Sequence, residues 1–404
     1  MAEEFLDFLI ALTIIIAAAK LGGYISIRLR QPSVLGELLV GLILGPTVLD
    51  MIHTWPVFHE IDVLSETLFL LAELGVIVLM FVAGLELHLD ELLRSGKVAA
   101  LAGVLGVVVP LGLGYGTSLL FGTVPVEALF VALTLSATSV SISAQTLMEM
   151  GVLRSRVGLG LLGAAVFDDI LVILLLSVSV VLVGGTAGGL GGVFMTIVGM
   201  VVYLILAILA GRFLVPPLVR WSAALPVSRG VIAFTLVITL FYAWTAEVVG
   251  GMAPITGAFL VGLFLAQTPM KERIEEGLGT IAYGFLVPVF FVNIGLQVNM
   301  RSIGGEFIWF ALAITVIAVL SKIVGSGLGG LLGGFSPKES LQLGVGMVSR
   351  GEVGLIVASF ALSEGLLSEA TFSTAVFMVI VATLVTPLML RALFARQPET
   401  QTAL

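Results

Sequence analysis

The chain has 404 residues, of which 59% are hydrophobic and 11% charged, with a formal net charge of -8 and a mean hydropathy of +1.20. A soluble domain carries roughly 25% charged residues, so this chain lacks the polar surface to cover a globule and reads as an integral membrane protein. It has no Cys, which excludes disulfides and thiolate chemistry; His53, His59 and His88 are scattered, no cofactor is expected, and the acidic balance argues against nucleic acid.

About twenty apolar residues cross a bilayer. Breaks at Gly, Pro and charges predict about thirteen helices, near 4–28, 34–48, 67–88, 97–121, 126–149, 156–183, 191–219, 228–249, 253–268, 277–298, 305–334, 338–364 and 370–393. The acidic start, Glu3, Glu4 and Asp7, differs from a secretory leader, so the first helix is expected to be retained. Residues 395–404 read as a short polar tail. If the N-terminus lies outside, nearly all loop Lys and Arg fall inside, from Arg28 and Arg30 to Arg391 and Arg396, and Arg301 alone falls outside. That bias orients a membrane protein and puts the C-terminus in the cytoplasm. Lys20, Lys322 and Arg350 remain within spans.

Two segment pairs resemble each other. Gly36-Glu-Leu-Leu-Val-Gly41-Leu-Ile-Leu44 matches Gly257-Ala-Phe-Leu-Val-Gly262-Leu-Phe-Leu265, with Pro32 and Pro254 just ahead. Phe81-Val-Ala-Gly84-Leu85-Glu86 matches Phe291-Val-Asn-Ile-Gly295-Leu296-Gln297, one residue longer. Both offsets are seven helices, an odd number, so the copies run in opposite directions. Six helices, a linker helix at 191–219 and six inverted helices make an architecture expected of secondary transporters.

Asp168 lies 12 positions from Arg156, Lys322 12 from Gly334, Arg350 12 from Lys338, and Thr138 12 from Met150. Each is therefore about 18 Å deep, near the middle of an apolar core of roughly 30 Å. A lysine stem reaches only about 6 Å, too little for Lys322 to snorkel, so a buried ion pair with an aspartate is the better account. Lys20, nearer the edge, is expected to snorkel. An intramembrane acid marks a functional site by default, the bland reading being that both acids merely pair with Lys322 and Arg350. Adjacent helix positions point about 100° apart, so one acid can meet Lys322 while the other meets a cavity. We assign Asp168 to the lysine and Asp169 to the cavity. A carboxylate there holds a proton or a bare cation but hardly both, and such competition is all that exchange requires.

The fifth span carries Thr134, Ser136, Thr138, Ser139, Ser141 and Ser143; the twelfth carries Ser349-Arg350-Gly351-Glu352-Val-Gly354. Taken singly, each hydroxyl fits ordinary interhelical bonding; the cluster, like the glycines around a charge pair, fits a helix unwound at mid-membrane. Opened ends present carbonyl and N–H groups to ions, and Arg350 and Glu352 are expected to compensate their partial charges.

The segments Pro32-Ser-Val-Leu-Gly36-Glu37-Leu-Leu-Val-Gly41-Leu-Ile-Leu-Gly45-Pro46, Phe81-Val-Ala-Gly84-Leu85-Glu86, Ala137-Thr138-Ser139, Phe167-Asp168-Asp169 and Ser349-Arg350-Gly351-Glu352-Val-Gly354, in order over nearly the whole chain, resemble the cation:proton antiporter-2 family of prokaryotic monovalent cation/proton antiporters. The resemblance implies an all-α inner-membrane homodimer with two crossed discontinuous helices. It implies a dimerisation scaffold (1–96 and 228–300) and a mobile core (97–183 and 301–394) that exposes the site to each side in turn. It makes Asp169 the cation and proton carrier, with Asp168, Thr138 and Ser139 beside it and Lys322 paired to Asp168. The two acids and the lysine resemble the electrogenic sodium/proton subgroup. Potassium-efflux relatives usually carry a nucleotide-binding regulatory domain and often lack the second acid, so Na⁺ or Li⁺ is favoured over K⁺.

The alternatives are potassium/proton exchange, a sodium-coupled organic-solute symporter, and an intramembrane aspartyl protease. The symporter needs a large solute cavity. The protease needs two acids facing each other from different helices, whereas these diverge from one. Glu37, Glu73, Glu86 and Glu247 fit either aqueous funnels or helix ends.

Overall fold

The computed structural model describes residues 2–58, 61–87, 95–183, 189–297, 301 and 307–394; the expected tail at 395–404, His59 and His88 lie outside them. All regular elements among the described residues are helical. They are α1 (Ala2–Arg28), α2 (Ser33–Leu44), the short α3 (Met51–Thr54), α4 (Ile61–Leu85), α5 (Gly96–Leu120), α6 (Pro125–Ser136), α7 (Val140–Glu149), α8 (Arg156–Leu182), α9 (Gly189–Phe213), α10 (Val215–Ala224), α11 (Gly230–Val248), α12 (Pro254–Leu265) and α13 (Lys271–Ile281). A π-helical turn (Ala282–Leu286) leads into α14 (Val287–Leu296), followed by α15 (Ile308–Gly333), α16 (Pro337–Gly346), α17 (Glu352–Ser363) and α18 (Glu369–Phe394).

Among the described residues, ten helices are long and apolar enough to cross a membrane, and three apolar ones (Ser33–Leu44, Pro254–Leu265, Val353–Leu362) are shorter. The expected spans are thus present, with altered limits. The second stops at Leu44 rather than 48, because Gly45 turns extended (φ -76°, ψ -178°) ahead of Pro46. The third begins at Ile61 rather than 67; charged residues ended the apolar reading there but not the helix. The linker span divides at Leu214, where Pro216 and Pro217 cannot continue the hydrogen-bond ladder of α9.

Helices α1, α2, α4, α11, α12 and α14 pack on one another, and α5, α6, α8 and α15–α18 form a second group. The groups meet through α2, α4, α7 and α18, and α9 packs on α8, α10, α11 and α12. The repeated glycines explain how the first group closes. A Cβ on Gly36 would lie 2.1 Å from the carbonyl oxygen of Gly22, and one on Gly257 2.2 Å from that of Tyr242. A Cβ on Gly41 would lie 2.2 Å from the carbonyl of Val292, and one on Gly262 2.1 Å from that of Phe81. In each copy the first glycine thus seats its helix on the preceding one, and the second seats it on a helix from the other half.

In the second group the broken spans are tied to their neighbours at the rims. The Glu127 carboxylate accepts from the backbone N–H of Ser368 (3.2 Å) and from Thr371 Oγ1 (3.0 Å). On the opposite rim Arg156 Nη1 lies 3.3 Å from Glu339, which also closes a capping box with Ser336 on α16.

The π turn leaves a backbone group to be satisfied. The Val287 N–H bonds to Ala282 O, and the next residue, Pro288, has no N–H to offer Tyr283 O. Lys20 Nζ donates to that carbonyl at 2.7 Å and lies 3.8 Å from Glu37. Lys20 therefore does not simply snorkel; a carbonyl released 263 positions away holds it.

Gly262→Val should overpack the α4–α12 contact and cost about 1–3 kcal/mol. Melting in detergent should fall for this variant and stay unchanged for Gly112→Val, since nothing lies within 4 Å of a Cβ at Gly112.

Candidate functional site

Asp168 and Lys322 are fully buried, and Lys322 Nζ donates to Asp168 Oδ1 at 2.5 Å. They come from α8 and α15, brought together by the small face of α5. A Cβ on Gly103 would lie 2.6 Å from Phe167 Cβ, next to Asp168. One on Gly106 would lie 2.3 Å from Ser326 Oγ and 3.7 Å from Lys322 Nζ. Larger residues on α5 would push both charged helices outward. Removed from water, each ion alone costs several kcal/mol, so each requires the other.

Asp169 turns elsewhere, as the 100° step requires. It is 5% exposed and lines a small cavity with Met80, Val140, Leu162, Ala165, Val166, Ile255, Thr256 and Phe259. The cavity measures about 10 Å³, room for about one water. Met80 and Ile255, Thr256 and Phe259 belong to α4 and α12, whereas Asp169 and Val140 belong to α8 and α7. The carboxylate therefore faces the boundary between the two helix groups. Val140 is the first residue of α7, whose N-terminal end carries partial positive charge.

The two interrupted spans cross beside it. The breaks are Ala137–Ser139 and Met347–Gly351. Ser139 N–H donates to Ser349 O at 3.0 Å, and Ser349 Oγ donates to Ser139 O. Ser143 Oγ donates to Gly346 O at 2.6 Å and lies 2.9 Å from Ser349 Oγ. The freed backbone groups of one break are thus met by the other. A Cβ on Gly351 would lie 2.7 Å from Ser139 Oγ, so the crossing admits only glycine at that point. Arg350 is fully buried; Nη1 donates to Met347 O (3.2 Å), at the C-terminal end of α16, and Nη2 to Ala318 O (3.3 Å), one turn from Lys322. Thr383 Oγ1 donates to Arg350 O.

The structure thus brings together Asp168 with Lys322, and Arg350 with an opened helix end. It does not bring Thr138 or Ser139 to the wall of the Asp169 cavity. Ser139 Oγ sits 2.9 Å from Ser141 Oγ, and Thr138 is buried at the break. Glu352 heads α17, but its side chain lies outside the described ones. Sequence reasoning missed Val140 and Thr256 as cavity walls and Thr383 as a support for the break. Of the four open glutamates, Glu73 lines a cavity of about 480 Å³ with Asn293, Gln297 and Ser359, and Glu86 lines another of about 450 Å³ with Ser33, Glu149 and Arg154. Glu37 is buried beside Lys20, and Glu247 is exposed near the end of α11.

A family model described as "Sodium/hydrogen exchanger, transmembrane" matches residues 13–396. The chain belongs to this family. It is a multi-pass membrane transporter rather than an enzyme. Among curated relatives, the Na(+)/H(+)-K(+) antiporter GerN of Bacillus cereus is 42% identical over 397 residues, 98% of this chain and 99% of its own length. The Na(+)/H(+) antiporter of Enterococcus hirae is 33% identical, with 96% and 98% covered. The solved sodium proton antiporter MjNhaP1 from Methanocaldococcus jannaschii superposes with a TM-score of 0.68 at 18% identity, covering 97% of each chain, which shows a shared fold.

In this exchanger, Lys322→Ala strands Asp168 without its counter-charge and should cost about 3–5 kcal/mol. Removing both charges (Asp168→Asn with Lys322→Met) should recover most of the lost melting temperature. Additive losses in the double variant would contradict the pairing.

Proposed function

We propose that the exchanger carries a monovalent cation, Na⁺ or Li⁺, in one direction and protons in the other by alternating access, with Asp169 as the carrier that binds one or the other. The observation that carries this reading is the division of labour between adjacent acids: Asp168 is committed to Lys322, and Asp169 faces the boundary between two helix groups. Cavities of about 480 and 450 Å³ lie along that boundary, one lined by Glu73 at the middle of α4 and the other by Glu86 just past its C-terminal end. The first helix group is the scaffold and the second the mobile core. Sliding of one against the other would join Asp169 to each cavity in turn. The matched glycine seats support an inverted repeat, as do the rim ties of Glu127 and Glu339. Arg350 compensates the C-terminal end of α16.

The names of the relatives support sodium/proton exchange, and the name of GerN keeps potassium as the second reading. Space for one water beside Asp169 suits a metal ion better than an organic solute. The family resemblance adds a homodimer joined through the scaffold and more protons than cations per cycle, and the bias of loop Lys and Arg supports an N-terminus outside the cell.

In proteoliposomes with a pH-sensitive dye, Na⁺ and Li⁺ should restore fluorescence more than K⁺ does, and Asp169→Asn should abolish the signal. Retained cation-driven proton movement in Asp169→Asn would refute the carrier role. A membrane potential imposed across the same vesicles should alter the rate; a rate indifferent to voltage would refute electrogenic exchange.

A further inference from the structure

Two polar contacts that ion exchange itself does not use hold the inner ends of scaffold and core together. The first joins α7 to α2. Helix α2 begins directly after Pro32, which supplies no side-chain cap, so its first N–H groups need outside partners. Glu149, the last residue of α7, provides one: Ser33 donates to its carboxylate from N (2.6 Å) and from Oγ (2.5 Å). Gln145 Nε2 donates to the same carboxylate at 2.9 Å and orients it. The second joins the α7–α8 loop to the end of α4. Arg154 Nε donates to Glu86 O at 2.6 Å, and Nη2 lies 3.2 Å from Glu86 Oε2. Each contact suits the helix end it touches, a carboxylate at the N-terminus of α2 and a guanidinium at the C-terminus of α4.

The other half of the chain cannot build this pair of contacts. Aligning Gly36 with Gly257 sets Pro254 opposite Ser33, and aligning Gly84 with Gly295 sets Gln297 opposite Glu86. Proline has no N–H to donate and glutamine has no charge. The left-handed glycines that close α7 and α17, Gly151 and Gly365, both have φ +67°. Aligning them sets Ser368 opposite Arg154, and its N–H is already donated to Glu127 within the core.

We infer that Glu149–Ser33 and Arg154–Glu86 form a one-sided clasp that weights the exchanger toward the conformation in which the inner ends of core and scaffold are together. The inference rests on the reading that the core moves against the scaffold. The clasp must open whenever those ends separate, and the aligned positions in the other half, Pro254, Gln297 and Ser368, lack its chemistry.

The absence of Cys allows paired spin labels without a background. One pair, Arg28→Cys and Lys338→Cys, reports inner separation; the other, Leu120→Cys and Val248→Cys, reports outer separation. In nanodiscs, Glu149→Gln with Arg154→Gln should shift the ratio of inner-together to inner-apart populations about two- to fivefold toward apart, from the worth of part-exposed polar contacts. The outer pair should move closer. Arg156→Gln cuts an ion pair of similar exposure lying wholly within the core and should shift neither pair. Unchanged distances in the double variant, or an equal shift in Arg156→Gln, would overturn the clasp. Should the double variant unfold, Glu149→Gln alone must show the shift in the same direction. Exchange by the unmodified protein is assayed in parallel. Its absence would overturn the proposed function, whereas an active protein with an immovable distance ratio overturns the clasp alone.

Discussion

An ionised carboxylate at mid-membrane is tolerated only where a counter-charge, an aligned helix end or water meets it. Most of the core follows from that constraint. Asp168 needs Lys322, and the two can meet only because α5 presents glycine toward both of their helices. Arg350, equally buried, donates from its two terminal nitrogens to Met347 and Ala318 carbonyls, so its charge lies where a helix has been cut open. The cuts in turn satisfy each other through Ser139, Ser143 and Ser349. Arg350 is the link between the two arrangements, since the charge needs acceptors and the opened end of α16 needs a donor.

The neighbouring acid escapes this closed arrangement by one step of the helix. Asp169 shares the backbone rigidity that Asp168 and Lys322 impose, yet its carboxylate looks across a seam between separately packed groups of helices. Its walls on one side, Ile255, Thr256 and Phe259, belong to α12, and those on the other belong to α7 and α8. A binding group placed on a seam senses any relative displacement at once. Placed in the middle of either group, it would sense none.

Much of this was legible in the sequence because it depends on local periodicity. The 100° separation of Asp168 and Asp169, the common depth of Lys322, and the clustered hydroxyls and glycines of the broken spans are properties of single helices. The repeated Gly36 and Gly257 segments are likewise visible in the sequence, and the structure places their glycines at backbone-to-backbone contacts. What escaped notice depends on distant residues. The hydroxyl of Ser139 meets Ser141 and its backbone serves the helix crossing, partners that the order of residues along one span does not reveal. Lys20 looked like an edge lysine because nothing near it in sequence announces the free carbonyl of Tyr283. Nothing in the sequence marks Glu149 or Arg154 as contacts, because the start of α2 and the end of α4 reach them only in the folded chain. The start of α4 was misjudged because a helix can outrun the apolar slab that its composition marks.

The widened turn at Ala282–Leu286 bears on how the two halves came to differ. The segment that ends at Gly295 is one residue longer than its counterpart ending at Gly84. In a regular helix, one added residue rotates everything on one side of it by about 100°. A π turn swallows that rotation. Ile274 and Leu278 stay buried before it, and Gly295 stays against Gly41 after it. The helix thus holds an extra residue without unseating Gly295 from Gly41, because a distant amine takes the orphaned oxygen.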